Sequence, residues 1–442
     1  MPFIIAFILS VICCVSTHSL ACAVPLFAVA LYAQVCILRS DSSDRQHLSR
    51  LFTFTSLIYV LSSLIFSYSF GPDNSHILFD PQKYILTFIN STRYEFDWGL
   101  IVQKYAMFDD SNQLYGLYMQ NMSAWANNDL GGSSVLFLTL CNTIFGIVTS
   151  LYLFKIIRIN SDSQTAFKYA ILFTALSPFL FYSCVVIRDI IITCFFTIAT
   201  YIILLPYKSR RIILLLLLAV LAWGVRLFSG LFLLSFVFIY LFNSMSGSKK
   251  YIITLPILII AGVLMASSLL ESTLYEQTMD EMEMYSEFSV VQSDGGLTAK
   301  LSSLPFGIKQ IALLLFSPIR PFPPFSAYYD ADTFSRIFIS TIYLINGLFW
   351  YFIFYNVAIG LFISRYWKRV SASKKVIFIA SLIFLLANMA HPDIRRSMPV
   401  FPFLYLLYVN MNTDSGFYFP KKTINRCLAG GYLVLLLAYS IL

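Results

Sequence analysis

The chain has 442 residues, of which 58% are hydrophobic and only 12% are charged. A water-soluble domain carries about 25% charged residues, so the composition excludes a soluble protein and predicts one embedded in a lipid bilayer. The net charge is +8. Because the basic residues cluster in short connections between apolar runs, we interpret them as determinants of membrane orientation and expect no nucleic-acid partner.

The apolar runs predict an all-α, polytopic transmembrane helix bundle of about 13 spans, in which residues 1–442 form a single integral membrane domain. The first run could pass for a signal peptide. It lacks a basic segment before it and leads directly into a second apolar run, which favours a retained helix. In chain order the runs lie near 3–17, 20–38, 51–70, 133–157, 167–186, 190–206, 212–225, 228–243, 251–270, 337–364, 376–390, 399–411 and 428–442.

Clusters of Lys and Arg between these runs fix the predicted orientation. All of them can face the cytoplasm only if the number of crossings between neighbouring clusters is even. Between Arg211 and Lys249 this requires two crossings, so we predict a hairpin over 212–243, with Arg226 near its tip, rather than one long tilted helix. The N-terminus is then cytoplasmic.

The same parity predicts two long outer segments. Residues 71–132 form the first outer, periplasmic loop, whose many aromatic residues indicate amphipathic helices on the membrane surface. Residues 271–336 form the second outer loop. Loops longer than about 15 residues usually carry function or are disordered, so the outer face is where we expect the chemistry.

Charged side chains at the ends of apolar runs are costly and usually functional. By the parity argument, those of this chain gather at the outer face. The candidate catalytic residues are Asp80, Asp189, His391 and Asp393. The candidate phosphate- or diphosphate-binding residues are Arg188, Arg226, Arg320, Arg395 and Arg396.

Seven of these nine candidates also have a purely structural interpretation. These are an N-cap at Asp80, a helix-start pair at Arg188 and Asp189, a hairpin tip at Arg226, a satisfied polar group at His391, and interfacial anchors at Arg395 and Arg396. The functional interpretation is collective, because such isolated roles do not predict that arginines from three separate hairpins gather on one face.

The predicted chemistry is glycosyl transfer from a polyprenyl-(di)phosphate sugar. Guanidinium groups bind phosphate bidentately, and a nearby carboxylate could act as general base on a sugar hydroxyl. Arginine can stabilise the charge of a departing phosphate, so no metal and no cofactor are expected.

Several segments carry a family resemblance. They are Asp80-x3-Tyr84-x3-Phe88, GGSSVLFLTLCNTIFG (131–146), SPFLFYSCVVIRDIIITCF (177–195), RLFSG (226–230) and HPDIRRSMPVFPFLYLLY (391–408). In order and spacing the chain resembles the bacterial O-antigen and exopolysaccharide polymerases and, more broadly, the GT-C type membrane glycosyltransferases. It departs from them in having no acidic pair at Asp80 and in carrying Arg396-Ser397 where the family has Arg-Tyr.

The resemblance implies Asp80 as the base, Arg188, Arg226, Arg395 and Arg396 as diphosphate ligands, and an undecaprenyl-diphosphate-linked oligosaccharide as substrate. It also implies a bacterial inner-membrane location, with a chain-length regulator and a flippase as possible partners. Three alternatives stay open. They are a flippase or transporter of lipid-linked sugars, an O-antigen ligase with His391 as base, and a structural membrane partner without chemistry.

Overall fold

The structure is a computed structural model, and it describes residues 1–68, 79–94, 113–244, 304–305, 308–319, 321–328, 331–388 and 394–441. These residues form helices and no β-strand. The first eight helices are α1 (Pro2–Thr17), α2 (Ala23–Leu38), α3 (Ser42–Ser67), α4 (Phe79–Phe88), α5 (Gln113–Asp129), α6 (Val135–Arg158), α7 (Ser163–Leu176) and α8 (Pro178–Ser183).

The chain continues as α9 (Asp189–Leu204), α10 (Arg210–Val225), α11 (Leu227–Ser244), α12 (Ile308–Phe316), α13 (Phe334–Ala358), α14 (Ala372–Asn388), α15 (Phe401–Thr413) and α16 (Lys421–Ile441). A π-helical turn, Ile359–Ile363, extends α13. Short 3₁₀ segments cover Leu20–Cys22, Ser317–Ile319, Pro324–Tyr328, Tyr366–Lys368 and Ile394–Val400.

Within the described ranges, four helical stretches are long and apolar enough to cross a membrane. They are Leu20–Leu38, Ser42–Ser67, Val135–Arg158 and Phe334–Ile363. Other helices expose large apolar side chains outward, among them Ile213 and Val220 of α10 and Leu433 and Leu437 of α16. A bilayer would cover such surfaces, so the described helices support a membrane protein, while the count of about 13 spans stays a prediction.

Basic residues from separate helices meet at one end of the bundle. The guanidinium of Arg158, at the end of α6, binds the carboxylate of Asp44 in α3 at 2.9 Å. One turn earlier in α6, Lys155 lies 5.5 Å from the ring centroid of Tyr152. That ring lies 5.5 Å from the ring of Tyr201, which is close to the end of α9. We call this the basic end.

The C-terminal helices bring two further basic groups to the basic end. The hydroxyl of Tyr405 in α15 donates to the carbonyl of Tyr169 in α7, at 2.9 Å. Beyond the end of α15, Asp414 lies 3.5 Å from the guanidinium of Arg369. Lys421, at the start of α16, lies over a ring of α15. The basic clusters that the described ranges include thus share one end, as the parity of crossings predicts.

The predicted hairpin is confirmed. Helices α10 and α11 pack against each other, and Arg226 lies between them in extended conformation. A Cβ built on Gly230 would lie 2.5 Å from the Cβ of Trp223, although in a continuous helix these residues would lie about 10 Å apart. At the other end, the Tyr240 hydroxyl accepts from the Lys208 amide at 2.7 Å. Arg226 therefore lies opposite the basic end.

The predicted span 167–186 is two helices, because α7 ends before Ser177 and α8 begins at the following proline. Asn346 of α13 supplies hydrogen-bond partners to the backbone groups at this break. Its amide donates to the Leu176 carbonyl at 2.9 Å, and its side-chain oxygen accepts from the Phe181 amide at 3.3 Å. Non-helical backbone at membrane depth needs such partners, since lipid supplies none.

Part of the predicted outer loop 271–336 lies along the bundle. The Tyr355 hydroxyl, late in α13, donates to the Leu315 carbonyl at the end of α12. The Tyr328 hydroxyl donates to Thr341, two turns into α13, at 3.1 Å. The intervening proline-rich segment therefore runs beside α13 over more than half of that helix, and the limits of the loop stay a prediction.

Candidate functional site

The candidate site lies beyond the ends of α9 and α10, at the end of the bundle opposite the basic end. Helix α6 has 24 residues, whereas α9 and α10 have 16 each. At 1.5 Å per residue these lengths are about 36 Å and 24 Å. Since all three helices reach the basic end, α9 and α10 stop about 10 Å short of the far end of α6.

A buried non-helical turn, residues 184–188, lies at this end, directly before α9. Residues 184–187 are buried, and Arg188 is half-buried. The side-chain amide of Asn142 in α6 donates to the carbonyls of Val185, at 2.9 Å, and Ile187, at 2.7 Å. Asn142 is the eighth residue of α6, which places the turn about 10 Å inside the end of that helix.

Two predicted site residues form an ion pair beside this turn. A carboxylate oxygen of Asp189 lies 3.6 Å from Nη1 of Arg226, and the two side chains are 8% and 15% exposed. Asp189 is the first residue of α9, where the helix dipole favours negative charge. The structure therefore brings together residues that lie on separate helical hairpins of the sequence.

Arg188 directly precedes Asp189 in the chain and carries a second guanidinium. Its Nη1 atom is buried and has no hydrogen-bond partner among the described residues. Burying such a donor without an acceptor costs about 1–3 kcal/mol, more when the group is charged. The unpartnered Nη1 atom of Arg188 therefore favours an anion close to it. We call Arg188, Asp189 and Arg226 the Arg–Asp cluster.

The segment Ile394–Val400 packs against α8 and α9. It carries Arg395, which is half-buried and has an interaction partner, and the backbone of Arg396. This places the third predicted basic segment beside the helix that begins with Asp189. Three other predicted site residues, Arg320, His391 and Asp393, lie outside the described residues.

Helices α4 and α5 lie over the cluster. The Tyr115 hydroxyl of α5 donates to the side-chain oxygen of Asn142 at 3.4 Å, and its ring lies 5.2 Å from the ring of Tyr84 in α4. Burial raises the pKa of Tyr115 well above its usual range, and the charges of Tyr84 and Asp189 raise it further. The backbone of Asp80 lies one turn before Tyr84 in α4.

Asn142, Tyr115 and Asn346 support the site, and the sequence patterns did not predict these roles. Each is a buried polar residue within or against an apolar helix, which is the signal that could have identified them. Within the described ranges, no group of three or more His, Cys, Asp or Glu side chains is placed to hold a metal ion.

Comparison of the chain with protein-family models, with curated proteins and with solved structures finds no match. The polymerase resemblance therefore stands on the short motifs alone.

Proposed function

We propose that the protein is a membrane glycosyltransferase of the polysaccharide polymerase type. It would join undecaprenyl-diphosphate-linked oligosaccharide units at the outer face of the bacterial inner membrane. The observation that carries the proposal is the buried ion pair of Asp189 with Arg226, next in the chain to Arg188, whose Nη1 atom is buried without a hydrogen-bond partner among the described residues.

The proposed reaction needs an anion site and a base. The acceptor hydroxyl attacks the anomeric carbon of the donor sugar, the bond from that carbon to the diphosphate oxygen breaks, and the hydroxyl proton passes to a carboxylate. Arg188 and Arg226 would stabilise the departing diphosphate. Asp80 would accept the proton, since Asp189 is already engaged with Arg226.

The location follows from the distribution of charge. Basic residues favour the cytoplasmic side of a bilayer, so the basic end would face the cytoplasm and the Arg–Asp cluster the outside. The N-terminus would then be cytoplasmic. A flippase that delivers the lipid-linked unit and a chain-length regulator would be partners of such an enzyme.

The test is turnover by purified protein in nanodiscs, supplied with a polyprenyl-diphosphate oligosaccharide and followed by mass spectrometry. A ladder of lengthened oligosaccharides is expected, and a single added unit would indicate a monofunctional transferase. Arg188→Ala, Arg226→Ala and Asp80→Asn should each abolish lengthening at normal expression. Arg336→Ala is the matched control, because Arg336 lies in the first turn of α13 and pairs with a side chain of its own segment. Normal product length in both the Arg188 and Arg226 variants would overturn the shared site.

A second candidate function is transport of the same lipid-linked sugar. The break between α7 and α8, followed by the buried turn at 184–188, is the discontinuous-helix geometry on which transporters build binding sites. An assay of the protein in sealed vesicles distinguishes transport from glycosyl transfer. Intact substrate recovered on the opposite leaflet would establish transport, and lengthened product would establish transfer. The ligase alternative depends on His391, outside the described residues.

A further inference from the structure

Arg188 is the last residue of a turn whose backbone carbonyls at Val185 and Ile187 lie inside the protein. Within residues 184–187 every side chain is buried, so the carbonyls of Val185 and Ile187 need partners inside the protein. The side-chain amide of Asn142 donates a hydrogen bond to each of these carbonyls, at 2.9 and 2.7 Å. An isolated asparagine in an apolar helix is costly unless its hydrogen bonds are made, and here both amide protons are used.

The remaining hydrogen-bonding atom of Asn142, its side-chain oxygen, accepts from Tyr115. Tyr115 is fully buried, and its ring packs edge-on against the rings of Tyr84 and Phe88 in α4. A continuous set of contacts therefore runs from α4, which carries Asp80, through Tyr115 and Asn142 to the turn that ends at Arg188.

We propose that Asn142 and Tyr115 are positioning residues that hold the 184–188 turn, and with it the Arg188 guanidinium, in register with helix α4. The part of this inference that concerns diphosphate rests on the proposed function. The part that concerns the turn does not. Neither residue contacts the reacting atoms, and both act through the backbone that precedes Arg188.

The chain offers a matched control on the same helix. The Tyr118 hydroxyl donates to the carbonyl of Cys141, the residue just before Asn142, at 2.9 Å. Tyr115→Phe and Tyr118→Phe each remove one hydroxyl that joins α5 to α6 and leave the ring in place. Tyr115→Phe removes the hydrogen bond to the side chain of Asn142, whereas Tyr118→Phe leaves that hydrogen bond in place.

The first measurement is amide hydrogen exchange of the peptide covering 180–192, in full-length protein in nanodiscs. Loss of hydrogen bonds to a buried turn should speed its exchange about 10-fold in Asn142→Leu and about 3-fold in Tyr115→Phe, with Tyr118→Phe at the wild-type rate. Equal exchange in Tyr115→Phe and Tyr118→Phe would overturn the positioning role of Tyr115. Unchanged exchange in Asn142→Leu would overturn the whole inference.

The second measurement is the affinity of each variant for inorganic diphosphate. Tyr115→Phe should bind several-fold more weakly than Tyr118→Phe at an equal melting temperature, a difference that a general loss of stability would not produce. If the wild-type protein binds no diphosphate while the exchange rates differ as expected, the proposed function fails and the positioning of the turn stands. Equal diphosphate affinities in the two variants would show that the turn does not position Arg188 for an anion.

Discussion

The ion pair between Asp189 and Arg226 should be worth measuring by itself, because both side chains are largely buried. At 3.6 Å and an effective dielectric constant of about 20, the Coulomb attraction is about 4–5 kcal/mol. The distance exceeds the roughly 2.7–2.9 Å of a charge-assisted hydrogen bond, so no such bond adds to it. Desolvation of both groups offsets part of the attraction.

Removing one partner leaves the other charge buried, which costs about 3 kcal/mol. We therefore expect Asp189→Asn and Arg226→Gln each to lower the free energy of unfolding by about 3 kcal/mol. The double variant should lose only about 4 kcal/mol, which gives a coupling energy of about 2 kcal/mol. Reversible unfolding in mixed detergent micelles, followed by tryptophan fluorescence, measures all four proteins.

Arg336 and Asp332 provide the control pair. They are four residues apart on one segment, and the Asp332 side chain is 69% exposed. Their coupling energy should not exceed about 0.5 kcal/mol. If the buried pair couples no more strongly than this pair, whose carboxylate is exposed, then Arg226 and Asp189 are not held together as described, and the Arg–Asp cluster loses its basis.

Three further substitutions test the packing. Gly230→Ala should destabilise the hairpin by about 2–3 kcal/mol, because the new methyl would meet the backbone of Trp223 at 2.6–2.7 Å; a wild-type melting temperature would contradict this. Gly146→Ala should cost about 1–3 kcal/mol, because its Cβ would lie 2.4 Å from the Ser183 hydroxyl, and Gly146→Ala combined with Ser183→Ala should recover part of the loss in the same melting assay. Asp162→Ala should cost about 1 kcal/mol through loss of the N-cap of α7. Hydrogen bonds from the side chain and then the backbone of the residue three positions later lower the pKa of Asp162. The cap therefore contributes fully above its unfolded value of about 3.9 and loses this contribution as pH falls through the lowered value, so the stabilities of wild type and Asp162→Ala should converge in acid.

The helical class and the hairpin at Arg226 could be predicted from the sequence because each follows from a local rule. Long apolar runs must form helices in lipid, and the sign of the flanking charges restricts the number of crossings. The flanking charges also predict Arg188, Asp189 and Arg226 on one face, and the structure pairs Asp189 with Arg226. Whether they bind diphosphate stays a prediction.

The break at Ser177 and the hydrogen bonds of Asn142 could not be predicted in this way. The run 167–186 is apolar throughout, and a proline there is compatible with either a kinked helix or a new one. The partners of Asn142 lie 43 and 45 residues away along the chain. Such pairings are set by how helices pack, which hydropathy does not encode.

Asn142 and Asn346 also impose an order on the biogenesis of the protein. Asn142 precedes the turn whose carbonyl it hydrogen-bonds, so it is already present when residues 184–188 enter the bilayer. Asn346 follows Leu176 by 170 residues, and the ribosome delivers it only after α9, α10 and α11. Until then the carbonyl at the end of α7 has no partner from α13, in a solvent that offers none. The N-terminal half of this protein therefore inserts as an incomplete assembly, and the arrival of α13 closes it.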